Sequence, residues 1–191
     1  MINIIGGIKK RTIIQVPSKN VRPTSALKRE SIFSIIESYG KKINHNFYKE
    51  ANILDLFAGS GSLGLEAISR GATFGYFYEN NINVIIFLKK NCLKVCQDNN
   101  FEIIEENILK SNFKNINKKI SIVFIDPPYK IYPFEEILRN INQVNILSKT
   151  AIIIIECSQK TKIIIPPFFI CFNERNYGKT KIYFLVKKIE L

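Results

Sequence analysis

The sequence predicts a doubly wound α/β fold with a mostly parallel sheet. Three observations carry that prediction. From Asn52 onward, short apolar runs alternate with amphipathic stretches, the pattern of successive βαβ units. A glycine-rich turn follows the first of these runs. One run, Ile120–Ile125, is apolar almost throughout, as expected of a strand covered on both faces.

The elements follow in order. Residues 1–20 read as a short basic β-hairpin: Ile4-Ile5, a turn at Gly6-Gly7, then Thr12–Val16 closed by Pro17. Arg22-Pro23-Thr24 leads into a helix capped by Thr24 or Ser25, with Leu27, Ile32, Ile35 and Ile36 as its apolar stripe. Residues 40–51 are polar and read as a connection. The core then begins with a strand at Ile53–Phe57, a helix near Leu63–Ser69, a strand at Tyr76–Tyr78 and a helix at Ile82–Val95. Strands at Phe101–Glu106 and Ile120–Ile125, a helix at Phe134–Ile141 and a strand at Ala151–Ile155 continue it. Phe168–Phe172 and Thr180–Lys187 read as an antiparallel closing hairpin joined through Tyr177-Gly178. The whole is one domain, 1–191. Residues 1–40 form an N-terminal β-hairpin and helix extension, and residues 52–191 form the core.

Composition agrees with a globular chain: 191 residues, 46% hydrophobic and 23% charged. The net charge of +12 points to a polyanionic partner. Its distribution says more. Residues 1–30 hold seven basic side chains (Lys9, Lys10, Arg11, Lys19, Arg22, Lys28, Arg29) against the single acid Glu30. The bland alternative is a solvated basic face. Cys92, Cys96, Cys157 and Cys171 form no C-x-x-C pair, and His45 is remote from them, so no metal site is expected. The longest aliphatic run, Ala151–Ile155, is far too short to span a bilayer, and no secretory segment opens the chain, so a reducing cytoplasm is expected.

The first chemical motif is Leu54-Asp55-Leu56-Phe57-Ala58-Gly59-Ser60-Gly61-Ser62-Leu63-Gly64. Its glycines let the backbone turn from strand to helix and approach a ligand closely, and the helix start presents free N–H groups. Gly59, Gly61 and Gly64 also satisfy G-x-G-x-x-G, so a dinucleotide site is an alternative. Glu79, ending the next strand, suits ribose hydroxyls in either case. Asp55 favours a ligand with an ammonium group, such as the methionine moiety of S-adenosylmethionine, met directly or through water; a pyrophosphate requires no such acid. The alternative for Asp55 is a turn ligand or helix cap.

The second motif, Asp126-Pro127-Pro128-Tyr129, ends the predicted fourth strand. An aromatic amine is a weak nucleophile because its lone pair is delocalised into the ring. Two acceptors on its N–H bonds favour a pyramidal nitrogen. The Asp126 carboxylate and the Pro127 carbonyl, fixed in direction by consecutive prolines, can supply them. Tyr129 can stack on the base. Positioning and electrostatics then supply most of the rate, on a base held out of its stack.

With both motifs in place, the chain resembles the bacterial 16S rRNA guanine-N2 methyltransferases of the RsmD type. The likeness runs nearly end to end. It includes Ile4-Ile5-Gly6-Gly7, Arg22-Pro23-Thr24 with Arg29-Glu30, the segment from Leu54 to Ala67, Ser69-Arg70-Gly71-Ala72, Glu79 and Asp126-Pro127-Pro128-Tyr129. The resemblance implies a Rossmann-like class I methyltransferase fold and S-adenosyl-L-methionine as cofactor. It also implies methyl transfer to a guanine N2 in small-subunit rRNA; the protein is expected to be a monomer. By position, Asp55, Gly59, Ser60, Gly61, Glu79 and Thr24 would bind cofactor. Asn107, after the third strand, would accept from the adenine amino group. Asp126, Pro127 and Tyr129 would hold the target amine. Lys9, Lys10 and Arg11 would contact the RNA backbone, and Arg22 cofactor or RNA. Adenine N6 in nucleic acid and a protein glutamine are the alternatives within this chemistry. An NAD-dependent oxidoreductase and an inactive RNA-binding assembly factor are the alternatives outside it.

Overall fold

The computed structural model describes residues 1–17, 25–97, 99–128 and 132–188. Arg22, Thr24 and Tyr129 therefore lie outside the described residues, as does Lys19.

Two short antiparallel strands, β1 (Ile2–Asn3) and β2 (Ile13–Ile14), open the chain, followed by α1 (Ala26–Lys42). The Ser25 side chain accepts from Lys28 N at 3.3 Å and so caps the helix. The core comprises β3 (Asn52–Asp55), α2 (Ser62–Ser69), β4 (Phe74–Tyr78), α3 (Ile82–Val95), β5 (Phe101–Ile104), β6 (Ile120–Ile125), α4 (Phe134–Gln143), β7 (Leu147–Ser158), β8 (Phe169–Tyr177) and β9 (Thr180–Lys187). Strands β3 to β9 form one sheet in the order β5-β4-β3-β6-β7-β9-β8. β3 through β7 are parallel, and β9 and β8 close the edge antiparallel. The order reverses between β3 and β6, which makes that junction the switch point where ligands of such sheets bind.

Strand alternation splits the core into two layers. Ile53, Phe124, Ile154 and Phe184 face α1, α2 and the N-terminal hairpin. Leu54, Val123, Ile153 and Leu185 face α4 and the segment after β5. β6 is buried along nearly its whole length, in keeping with its apolar run.

Several boundaries differ from those expected. The first core strand ends at Asp55 rather than Phe57, because Phe57 enters the glycine turn, although Leu56 N still bonds the Phe124 carbonyl at 3.0 Å. β5 stops at Ile104, short of Glu106. Helix α1 runs to Lys42, into the stretch expected to be a connection. β7 is Leu147–Ser158, longer than Ala151–Ile155, since it pairs with Ile120 at one end and with Thr180 at the other. β8 likewise runs Phe169–Tyr177 rather than ending at Phe172.

Two side chains of α1 reverse their expected roles. Leu27 is exposed rather than part of the stripe, while Arg29 is 2% exposed. A buried guanidinium needs partners. Arg29 Nη2 donates to the Asn3 carbonyl at 2.8 Å, and Glu66 lies close enough to act on its charge. Arg29 therefore belongs to the interior and not to a basic face.

The hairpin is fastened to the core by Glu66, fully buried on α2. Glu66 accepts from Ile5 N and Gly6 N, each at 2.7 Å, and from Arg70 Nε at 2.9 Å. Arg70 continues to Glu37 at 2.5 Å and covers the Phe33 ring. Gly7 must be glycine: its φ is +75°, and an added Cβ would fall 1.8 Å from the Ser69 carbonyl oxygen. The Ile-Ile-Gly-Gly motif is thus a docking element, with Ile4 and Ile14 inside the same core as α1 and α2.

Candidate active site

The site grows from the end of β3. There the chain leaves the sheet through Gly59 (φ +55°) and Gly61 (φ +82°), both left-handed. A Cβ on Gly61, the N-cap of α2, would fall 2.8 Å from Leu88 Cδ1. Glycine is required here so that the loop can lie close to Leu88 of α3 and Leu65 of α2.

Asp55 and Glu79 hold this turn. Asp55 is 2% exposed. It accepts from Gly64 N at 3.2 Å and also from Phe57 N. The turn-ligand role is therefore observed for Asp55. Desolvation pushes its carboxyl up to about 7, against the two backbone N–H groups, which favour the charged form. Glu79, half-buried at the end of β4, accepts from Gly59 N at 3.0 Å through one oxygen. Its other oxygen accepts from Asn80 N and Asn81 N, each at 2.9 Å. Its carboxylate therefore stands beside the glycine turn at the start of α3. Ser60 is buried, and its carbonyl accepts from Asn91 Nδ2 at 2.9 Å. Asn91 also exchanges hydrogen bonds with the Gln15 backbone, linking the turn to the hairpin.

Asp126 follows β6 directly and is half-buried, as is Pro127. Register puts Asp55 beside Phe124, so Asp126 lies two residues further along the adjacent strand on the same face. The structure thus brings Asp55, Gly59, Ser60, Gly61, Glu79, Asp126 and Pro127 to one edge of the sheet, at the switch point. Asn107 lies three residues beyond β5 rather than at its end. It is exposed, and its side-chain oxygen caps a short turn by accepting from Leu109 N at 3.0 Å.

Lys9, Lys10 and Arg11 stand apart. The hairpin tip sits against the C-terminal end of α2, where Ile8 N bonds the Ser69 carbonyl and Lys9 N bonds Ser69 Oγ. The eight residues of α2 separate it from the glycine turn, about 12 Å along the helix. Lys10 and Arg11 are exposed, and Lys9 is partly so.

Three residues at the edge escaped sequence reasoning. Tyr132 packs edge-on against Phe57 at 5.1 Å, and desolvation together with the charge of Glu79 raises its phenol. No periodicity marked it. Lys28 and Glu156 form an ion pair in which both side chains are largely buried. Glu156 had a usable signal: it ends the apolar run of β7 as Asp126 ends that of β6.

Comparison with known proteins agrees with this architecture. A family model described as Conserved hypothetical protein 95 matches residues 2–186. The Ribosomal RNA small subunit methyltransferase D of Buchnera aphidicola (subsp. Acyrthosiphon pisum) is 33% identical over 183 residues, covering 96% of this chain and 91% of that protein. The protein of the same name from Escherichia coli K12 is 33% identical over 156 residues, 81% of this chain and 74% of the relative. Among solved structures, the Escherichia coli protein yhhF, described as a candidate methyltransferase, superposes with a TM-score of 0.82 at 26% identity, covering 99% of each chain. The fold is the Rossmann-like class I methyltransferase fold, and the chain belongs to the methyltransferase family that includes the Ribosomal RNA small subunit methyltransferase D proteins.

Proposed function

We propose that this enzyme transfers a methyl group from S-adenosyl-L-methionine to the exocyclic N2 amine of a guanine in 16S rRNA of the small ribosomal subunit. The observation that carries the reading is the shared face of Asp55 and Asp126 on adjacent strands at the switch point, beside the left-handed glycine turn. The names of the relatives supply the class of acceptor.

The residues present suit the cofactor. The left-handed glycines let the turn pack closely on Leu88 and Leu65, and the buried Asp55 carboxylate beside that turn suits an ammonium group. Gly59, Ser60 and Gly61 line the cofactor, and Glu79 takes the ribose hydroxyls. Asn107 meets the adenine with the acceptor capacity that its capping bond leaves, and Thr24 completes the set. When bound, the cofactor supplies an electrophilic methyl on a sulfonium. Asp126 and the Pro127 carbonyl accept the two N–H bonds of the amine and turn its lone pair toward that methyl, while Tyr129 stacks on the base. Asp126 would stabilise the positive charge that grows on nitrogen as it takes the methyl, and would pass the proton that nitrogen then sheds to water. The chain acts as one domain over 1–191, a monomer in the cytoplasm, where its substrate is assembled.

The competing acceptors are separated by offering labelled cofactor with small ribosomal subunits, duplex DNA and a glutamine-bearing protein side by side. The reading expects label in the subunits alone; label confined to DNA or protein overturns it. Tight NADH binding without S-adenosylmethionine binding would restore the oxidoreductase.

A pH dependence follows from Asp55. Its carboxyl titrates near 7 in the folded protein, against 3.8 as its ordinary value. An ammonium ligand prefers the carboxylate, so affinity rises as pH rises toward 7. Between pH 5.5 and 7, calorimetric titration should show an increase of about fifteenfold, set by the ionised fraction. Asp55→Asn should abolish that increase. The sign for stability is opposite. Because the folded value is raised, the contribution of this group is present below the ordinary value and is lost as pH climbs to about 7. Thermal melts of the ligand-free protein at pH 5 and pH 7 should show that loss in the wild type and not in Asp55→Asn.

Lys9, Lys10 and Arg11 are read as backbone contacts with rRNA, joined by Arg22. The position of Lys9, Lys10 and Arg11 about one helix length from the turn suits a duplex or loop draped across α2 rather than the target base itself. Changing Lys9, Lys10 and Arg11 to Ala should weaken RNA binding and reduce the magnitude of the log–log salt slope by about two to three. An unchanged slope would return the cluster to a solvated face.

A further inference from the structure

Glu156 and Lys28 have no part in the methyl transfer described above, yet Glu156 is buried and Lys28 largely so at the same edge. Glu156 is 6% exposed. One of its oxygens pairs with Lys28 Nζ, and the other is buried without any hydrogen-bond partner. A buried, half-satisfied carboxylate is costly to keep unless something binds it.

Its position is set by register. Phe124 pairs with Ile154 and Ile125 with Ile155, so Glu156 lies beside Asp126 across parallel strands about 4.8 Å apart. Alternation puts both on the face that carries α1, where Lys28 stands. Glu156 thus has Asp126 beside it on the neighbouring strand and Lys28 as its ion-pair partner, which groups two acceptors and a donor at one edge.

Guanine presents the complement along its Watson–Crick edge: the N2 amine donates, N1–H donates, and O6 accepts. Adenine presents its amine next to N1, a lone pair that a carboxylate repels. We propose that Glu156 and Lys28 select guanine, Glu156 accepting from N1–H through its unpartnered oxygen and Lys28 donating to O6, while Asp126 holds the amine that is methylated. The inference rests on the reading of guanine N2 as target and adds the residues that choose the base.

The test uses the full-length protein and small subunits reconstituted with either guanine or 2-aminopurine at the methylated position. 2-Aminopurine keeps the N2 amine but lacks N1–H and O6. The wild-type protein should prefer guanine by about a hundredfold in kcat/KM, since a site built for a hydrogen bond rejects the analogue that lacks it. Glu156→Gln should lower guanine methylation by about tenfold or more and shrink the preference by about the same factor. Its cofactor affinity should hold. Lys28→Met should also erode the preference. Equal use of the two bases by the wild-type protein overturns the proposal without recourse to any variant. So does an equal loss on both bases in Glu156→Gln, which would mark a merely structural role. Failure of the wild-type protein to methylate guanine N2 at all would overturn the reading beneath it as well, and is distinguished by the guanine substrate alone.

Discussion

Replacing Asp126 with Ala is expected to lower methyl transfer by roughly a hundred- to a thousandfold, the scale of losing one preorganised polar group at a reacting centre. S-adenosylmethionine affinity should stay within about twofold, because none of the residues proposed to bind the cofactor lies on β6 or in the turn that follows it. The separation is the informative part. Asp55 and Asp126 sit on neighbouring strands and share a face, so a general collapse of the edge would damage both functions together. Single-turnover kinetics with saturating cofactor, alongside calorimetric binding, measures both quantities. Near-normal turnover would remove Asp126 from the mechanism.

The second large effect is on stability. Glu66→Ala should cost about 3–5 kcal/mol, because it strands the Ile5 and Gly6 amides and leaves Arg70 with Glu37 as its one carboxylate partner among the described residues. For a chain of this size that corresponds to a fall in melting temperature of roughly 10 °C. Glu66→Gln keeps one acceptor and should lose less. A change of under about 1 kcal/mol in Glu66→Ala would mean that the hairpin holds by its apolar residues Ile4 and Ile14 alone.

These two residues also mark what could be read from the sequence. Asp126 was legible because a long buried strand announces itself as an almost wholly apolar run, and the polar residue that ends it must stand at the carboxyl edge. The same logic exposed Asp55 and Glu79. Glu66 was not legible in its role. It sits inside the Leu54–Ala67 segment, but its partners are 60 and 61 residues away, and only the folded chain brings them together. Arg29 failed for the same reason. Helical periodicity favoured Leu27 as an inward residue, whereas the fold offers the Asn3 carbonyl and the charge of Glu66 on that side, so the arginine goes in and the leucine stays out. Strand ends failed where pairing decided them: β7 gains length at both ends from Ile120 and from β9, which no local pattern encodes. Composition misled in one respect. Seven basic residues in the first thirty counted alike toward a polyanionic partner, but Arg29 is buried, Lys28 is ion-paired, and Lys9, Lys10 and Arg11 lie at the far end of α2 from the glycine turn.

The central claim is that this edge delivers a methyl group to one atom of one base. Incubating the protein with isotopically labelled S-adenosylmethionine and small ribosomal subunits lacking their native methylations, then digesting the RNA to nucleosides, tests it directly. The account predicts label in N2-methylguanosine. Label in N6-methyladenosine would contradict it, leaving the fold and the cofactor turn intact but assigning the Asp126 edge to a different base.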